Sequence, residues 1–242
     1  MPILLMLLNA CGKVEAVKEV AATDIFLLVD TTDLLSPYPQ SKPLLALYDF
    51  ADYKDQAARF RFTCITDRQL NAVLEYSLPG VVPGKVNPED EGEGRENNVV
   101  DFFIKVEGTI DSVVKHCRYL RTLPYSECFR TISHELQTLT NSSASRKILI
   151  VFSNLRENSD IFSCYGNAAQ KLLQNNPEKV ADSLSMACPL PANLSGIEIY
   201  LVYQPSDRID DQVYLEMATI YKSLLESRGA RVTIQTNSNQ FN

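Results

Sequence analysis

The run Asp24-Ile25-Phe26-Leu27-Leu28-Val29-Asp30-Thr31-Thr32-Asp33 puts five apolar residues in a row and ends them in an acidic, hydroxyl-rich turn. Five consecutive apolar residues leave no face for water, so the run reads as a strand buried on both sides. Strands of that kind lie inside parallel sheets covered by helices. Ligands of open α/β sheets bind outside the carboxyl ends of the strands, where Asp30, Thr32 and Asp33 stand. Two later stretches repeat the pattern. Arg146 to Phe152 ends in Ser153 and Asn154, and Gly196 to Tyr203 ends in Gln204, Pro205, Ser206 and Asp207.

Between these strands the periodicity alternates. Ser41 and Pro43 open a helix expected to reach Tyr53. Arg59 to Thr66 alternates as a strand, and Asn71 to Leu78 reads as another. The connection between them is too short for a parallel crossover, so the two form an antiparallel hairpin. Pro79 to Asn98 reads as a loop, with the acidic run Glu89-Asp90-Glu91-Gly92-Glu93-Gly94 as a solvated segment. Helical spacing follows from Val99 to Leu120, with Gly108 as a place to kink or split. A second helix opens at Pro124 to Glu127, with Ser126 or Thr122 as cap, and carries Phe129, Ile132, Leu136 and Leu139 on one face. Helices are expected near 168–174 and 177–186. Another spans Asp211 to Arg228, closed by Gly229, before a last strand from Ala230 to Ile234. The order β-α-β-β-α-α-β-α-β-α-β gives an α/β fold: a mainly parallel, doubly wound sheet with one antiparallel edge strand and helices on both faces.

Charge and composition remove several classes of function. The 242-residue chain carries a net charge of −7 and no basic cluster, which argues against a nucleic-acid partner. Two histidines, His116 and His134, are too few for a histidine-based metal site. No Gly-x-Ser-x-Gly elbow, P-loop or Gly-x-Gly-x-x-Gly fingerprint occurs, so the chain is not read as an enzyme. Asp30 as a phosphatase nucleophile would need an acid two residues on, and Thr32 stands there. Six cysteines are present. Cys64 reads as a buried small hydrophobe, Cys164 and Cys188 bracket one excursion and are the favoured disulfide, and Cys117 with Cys128 is a second pairing.

Residues 1–11 read Met-Pro-Ile-Leu-Leu-Met-Leu-Leu-Asn-Ala-Cys. This resembles a bacterial lipoprotein signal peptide whose lipobox is Leu8, Asn9, Ala10 and Cys11. No Lys or Arg precedes the apolar run, a departure from the usual positive start. The resemblance implies cleavage before Cys11, a lipid on its sulfur, and a membrane-anchored protein of the cell envelope, periplasmic or surface-exposed. Residues 12–23 then serve as a tether, 24–236 as the domain and 237–242 as a tail. Disulfides persist in such a compartment.

The domain resembles a von Willebrand factor A (integrin I-like) domain over Asp24 to Thr236. The resemblance rests on the Asp30-x-Thr32 turn after the first strand, the early hairpin, and a hydroxyl, Ser126, before the helix that precedes the fourth strand. It implies a binding module for a protein partner and a metal-ion-dependent adhesion site for Mg²⁺ or Mn²⁺. The metal residues it implies are Asp30, Thr32, Ser126 in the role of a distant threonine, and Asn154 in the role of a late aspartate. The family expects Ser at position 34, where this chain has Leu34. Read from the residues alone, Asp30 and Thr32 cap their own turn by hydrogen bonds. A structural subunit of an envelope or secretion assembly is the other reading of the module.

Overall fold

In a computed structural model, residues 22–33, 45, 56–66, 70–81, 93–117 and 124–236 are described. Six strands form one sheet: β1 (Thr23–Asp30), β2 (Ala58–Ile65), β3 (Leu74–Leu78), β4 (Arg146–Phe152), β5 (Ile197–Val202) and β6 (Arg231–Gln235). Five helices are described: α1 (Glu93–Cys117), α2 (Cys128–Thr140), α3 (Asn167–Asn175), α4 (Pro177–Ala187) and α5 (Arg208–Glu226). The strand order is β3-β2-β1-β4-β5-β6, all parallel except β3, which runs antiparallel to β2. This is a Rossmann-like α/β sheet, and its order reverses between β1 and β4.

Both faces of β1 are buried, as its unbroken apolar run requires. Ile25, Leu27 and Val29 share one face with Phe60, Phe62, Ile148 and Ile150, under Val99, Phe102, Phe103, Val106 and Ile110 of α1. Phe26 and Leu28 share the other with Leu149, Val151, Ile199 and Leu201, under Phe129, Ile132 and Leu136 of α2, Val180 and Leu184 of α4, and Tyr214, Met217 and Tyr221 of α5. Period-2 strands between period-3.6 helices give these two cores.

Several boundaries differ from expectation. Helix α1 starts at Glu93, inside the stretch expected to be loop, with Glu93 and Glu96 in its first turn, where carboxylates favour the helix dipole. Gly108 does not split it, because its neighbours supply enough apolar contact to hold the helix through one weak residue. Strand β3 is shorter than the alternation suggested and begins at Leu74. Gly229 does close α5: it takes φ +93°, and a Cβ there would lie 2.6 Å from the Ser195 hydroxyl. The helix expected over 43–53 lies outside the described residues except for Leu45, which packs on the α1 face. Cys11, the tether through residue 21, the acidic run up to Gly92 and the side chain of Cys117 also lie outside them.

A buried ion cluster closes the amino end of the sheet. Asp24, with none of its surface exposed, accepts from Arg61 Nε (3.2 Å) and Nη2 (3.0 Å) and pairs with Arg59, two residues earlier on β2. Arg59 also donates to the Ser142 hydroxyl (2.9 Å), and the Arg61 guanidinium lies 4.7 Å over the Phe26 ring. The Asp24→Ala variant leaves Arg61 buried without its anion. It should lose about 3–5 kcal/mol in urea unfolding, and a loss under about 1 kcal/mol would mean the arginines reach solvent.

Candidate functional site

Thr31 sets the turn after β1. Its N–H and hydroxyl both donate to the Ile65 carbonyl (3.0 Å each), extending the ladder to β2 by one residue. Thr32 then folds back on Asp30. Asp30 Oδ1 accepts the Thr32 N–H (2.9 Å) and hydroxyl (2.6 Å), as the capping reading of the sequence has it. Oδ2 accepts the Ser153 hydroxyl (2.6 Å) from the end of β4 and the Cys128 thiol (3.5 Å) from the start of α2. Ser126 Oγ lies 3.1 Å from Cys128 Sγ. Strand ends and a helix start, far apart in sequence, therefore meet on one carboxylate at the point where the sheet order reverses.

All of these groups are buried, and Asp30 is 1% exposed. Burial pushes the Asp30 carboxyl above its ordinary range, while the donors from Ser153, Thr32 and Cys128 pull it down. Burial, reinforced by the charges of Asp30 and Glu157, lifts the Cys128 thiol well above its ordinary range. Cys128 is thus a protonated donor at neutral pH, not a nucleophile.

Asn154 does not join this cluster. Its Oδ1 accepts the Arg156 N–H (3.0 Å) and its amide donates to Asp33 Oδ2 (3.2 Å). Ser153, one residue earlier, faces Asp30 in its place, because side chains alternate along the end of β4. Asp33, through Asn154, belongs to a neighbouring cleft of about 290 Å³ shared with Arg156, Tyr203, Ser206, Asp207 and Asp210. Ser206 and Asp207, the third polar strand end, are spent on α5. Asp207 caps the helix through Ile209 N (2.8 Å) and Asp210 N (2.9 Å), and Ser206 N–H donates to Asp210 (2.9 Å). Burial works against the Asp210 charge, but Tyr203, Ser206 and Arg156 outweigh it and hold the carboxyl below its ordinary range.

Of the residues expected to ligate a metal, Asp30, Thr32 and Ser126 converge. The set does not fit Mg²⁺ or Mn²⁺. A hard dication needs several charged or carbonyl oxygens. Here one carboxylate faces neutral hydroxyls and a protonated thiol, position 34 is a leucine, and Asn154 is turned away. Among the described residues no three His, Cys, Asp or Glu side chains gather as a metal site. Cys164 and Cys188, expected to bridge, are both free thiols. Cys164 sits in the turn before α3, and Cys188 is the C-cap of α4.

Ser126, expected to cap α2, instead pairs its backbone with Asn158 in both directions (3.0 and 2.9 Å). The helix has no side-chain cap from its own N-cap, Glu127. Glu157 supplies one from beyond β4: its Oε2 accepts Phe129 N–H (3.0 Å) and the Tyr221 hydroxyl (3.0 Å). Burial raises the Glu157 carboxyl to about 7, against the pull of Phe129, Ser159 and Tyr221. The turn that carries it includes Leu155 at φ 55°, fully buried, a left-handed conformation costing about 1–2 kcal/mol for a side chain of that size. Neither Cys128 nor Glu157 has a motif around it. The signal available was the polar residue types on apolar-spaced elements.

No protein-family model matches the chain, and no curated protein matches it. Among the described residues no helix is long and apolar enough to cross a membrane.

The Glu157 carboxyl holds its proton more tightly folded (about 7) than at its ordinary 4.5. Its contribution to stability is therefore greatest below pH 4.5 and is lost as pH rises to about 7. Relative to Glu157→Gln, the native chain should lose about 3 kcal/mol across that window, read as the difference between two urea-stability profiles against pH. In a separate variant, Ser153→Ala should cost about 1–3 kcal/mol, since Asp30 Oδ2 and the Leu155 N–H both lose a partner.

Proposed function

We propose that the protein is a von Willebrand A-like binding module that docks a protein partner on the carboxyl edge of its sheet, held to a bacterial cell envelope by lipid on Cys11. The observation that carries this reading is the Asp30–Thr32 turn at the reversal of strand order, with Ser126, Cys128 and Ser153 brought onto it from two other elements. Asp30 is enclosed by donors on both oxygens, which supports a role in shaping the edge.

Docking falls to the side chains around it. Tyr125, next to Ser126, and Tyr165, at 50% exposure, stand out from the same edge. Tyr165 lies near enough to Asp33, Arg156 and Asp30 to feel their charges. Exposed tyrosines beside a polar cleft are the residue type that anchors protein interfaces. The donor set at Asp30 favours docking by these side chains alone over docking through a metal.

The test uses the full chain in membranes. Tyr125→Ala with Tyr165→Ala should lower cross-linked partner on the order of tenfold, and chelator should leave it unchanged. Calorimetry with Mg²⁺ and Mn²⁺, on native chain and Asp30→Ala shown folded by circular dichroism, should give no saturable heat. Saturable binding lost in Asp30→Ala would overturn the metal-free reading. Partner recovery indifferent to both tyrosines would overturn the docking face.

A further inference from the structure

Glu157 is fully buried, yet only one of its oxygens is bonded. Oε2 holds Phe129 N–H and Tyr221 OH, while Oε1 has no partner among the described residues. The Ser159 hydroxyl is near enough to favour the ionised carboxyl, but its own bond runs to the Phe162 carbonyl (3.5 Å) and not to Oε1.

The groups facing it offer no cation. From the start of α2 come Glu127, whose charge opposes that of Glu157, and the Cys128 thiol. Arg130 on α2 is engaged by Glu127 and Asp160. Helix α5 contributes the Tyr221 hydroxyl, raised well above its ordinary range by burial and by Glu157 itself. On its own segment lie Cys164, raised by burial to about 12, and Arg156, which pairs with Asp210. Cys188, at the end of α4, is neutral and also feels the Glu157 charge. An ionised Glu157 is thus a buried charge without a counter-ion, and such a charge is relieved by admitting water.

The segment that would move is the one that holds the site. Glu157 O accepts Cys164 N–H (2.8 Å), Asn158 pairs with Ser126 through two backbone bonds, and Asn158 Nδ2 donates to the Pro124 carbonyl (2.6 Å). Residues 157–164 therefore staple the stretch that brings Ser126 and Cys128 to Asp30.

We infer that Glu157 is a proton-operated latch: neutral, it locks residues 157–164 against α2 and α5; ionised, it releases them, hydrates Oε1 and loosens Ser126 and Cys128 from Asp30. The carboxyl titrates at about 7, so the latch works across neutral pH and opens as pH rises. Any effect on partner docking rests on the reading of that edge given above, but the latch itself does not.

The experiment is N-ethylmaleimide labelling of the full chain from pH 6 to 8.5, with each cysteine peptide quantified by mass spectrometry. Rates at Cys128 and Cys164 are divided by that at half-buried Cys64 in the same digest, and Glu157→Gln, run at each pH, reports any change in the ratio that thiol ionisation alone produces. The ratio should rise about tenfold in the native chain, following ionisation of a group at about 7, and stay flat in Glu157→Gln. A flat ratio in the native chain, or an equal rise in the variant, would overturn the latch. Tyr221→Phe gives a second reading should Glu157→Gln fail to fold. It removes a donor to the ionised carboxylate, so the midpoint must move to higher pH, and a fixed midpoint also overturns the latch. Partner capture that does not change with pH while the labelling ratio does would leave the latch standing and overturn its link to docking.

Discussion

A carboxylate at the end of a doubly buried strand must find donors inside the protein, and Asp30 finds four. Two come from its own turn through Thr32, one from the end of β4 through Ser153, and one from the start of α2 through Cys128. Losing any of them strips a donor from a fully buried carboxyl oxygen, which costs more than an ordinary surface bond contributes. The carboxylate therefore fixes the relative placement of β1, β4 and α2 at the reversal of the sheet, and the carboxyl edge is built around it.

Charge is handled differently at the two ends of β1. At the amino end, Asp24 meets two arginines, so its charge is paired within the protein. At the carboxyl end, Asp30 meets only neutral donors, and Glu157 nearby meets two neutral donors with one oxygen left over. This second end is where burial raises both carboxyls, and it is the end where ligands of open sheets bind.

The sheet was legible in the sequence because apolar runs as long as Ile25–Val29 and Ile148–Phe152 admit one reading, and the short link after Ile65 forced an antiparallel hairpin. The site was half legible. Asp30 and Thr32 touch within one turn, so spacing alone brings them together. Ser153 against Asn154 is decided by which way the chain leaves β4, and the left-handed Leu155 that sets this departure has no glycine to announce it. Cys128 drew notice only as a possible disulfide partner of Cys117, and Glu157 drew none; their roles depend on tertiary contacts that local pattern does not carry. The start of α1 was missed because its acidic first turn has the composition of a solvated loop.

Helix α2 illustrates what such long-range satisfaction means for the order of events in folding. The acceptor for its Phe129 amide lies 28 residues further along the chain, past the whole of β4. A 13-residue helix without a local cap is marginal on its own. Its first turn is complete only once β4 has docked beside β1 and carried Glu157 back across the gap. Helix and strand pair must therefore be gained together, so that α2 behaves as a late reporter of sheet assembly and not as an early nucleus.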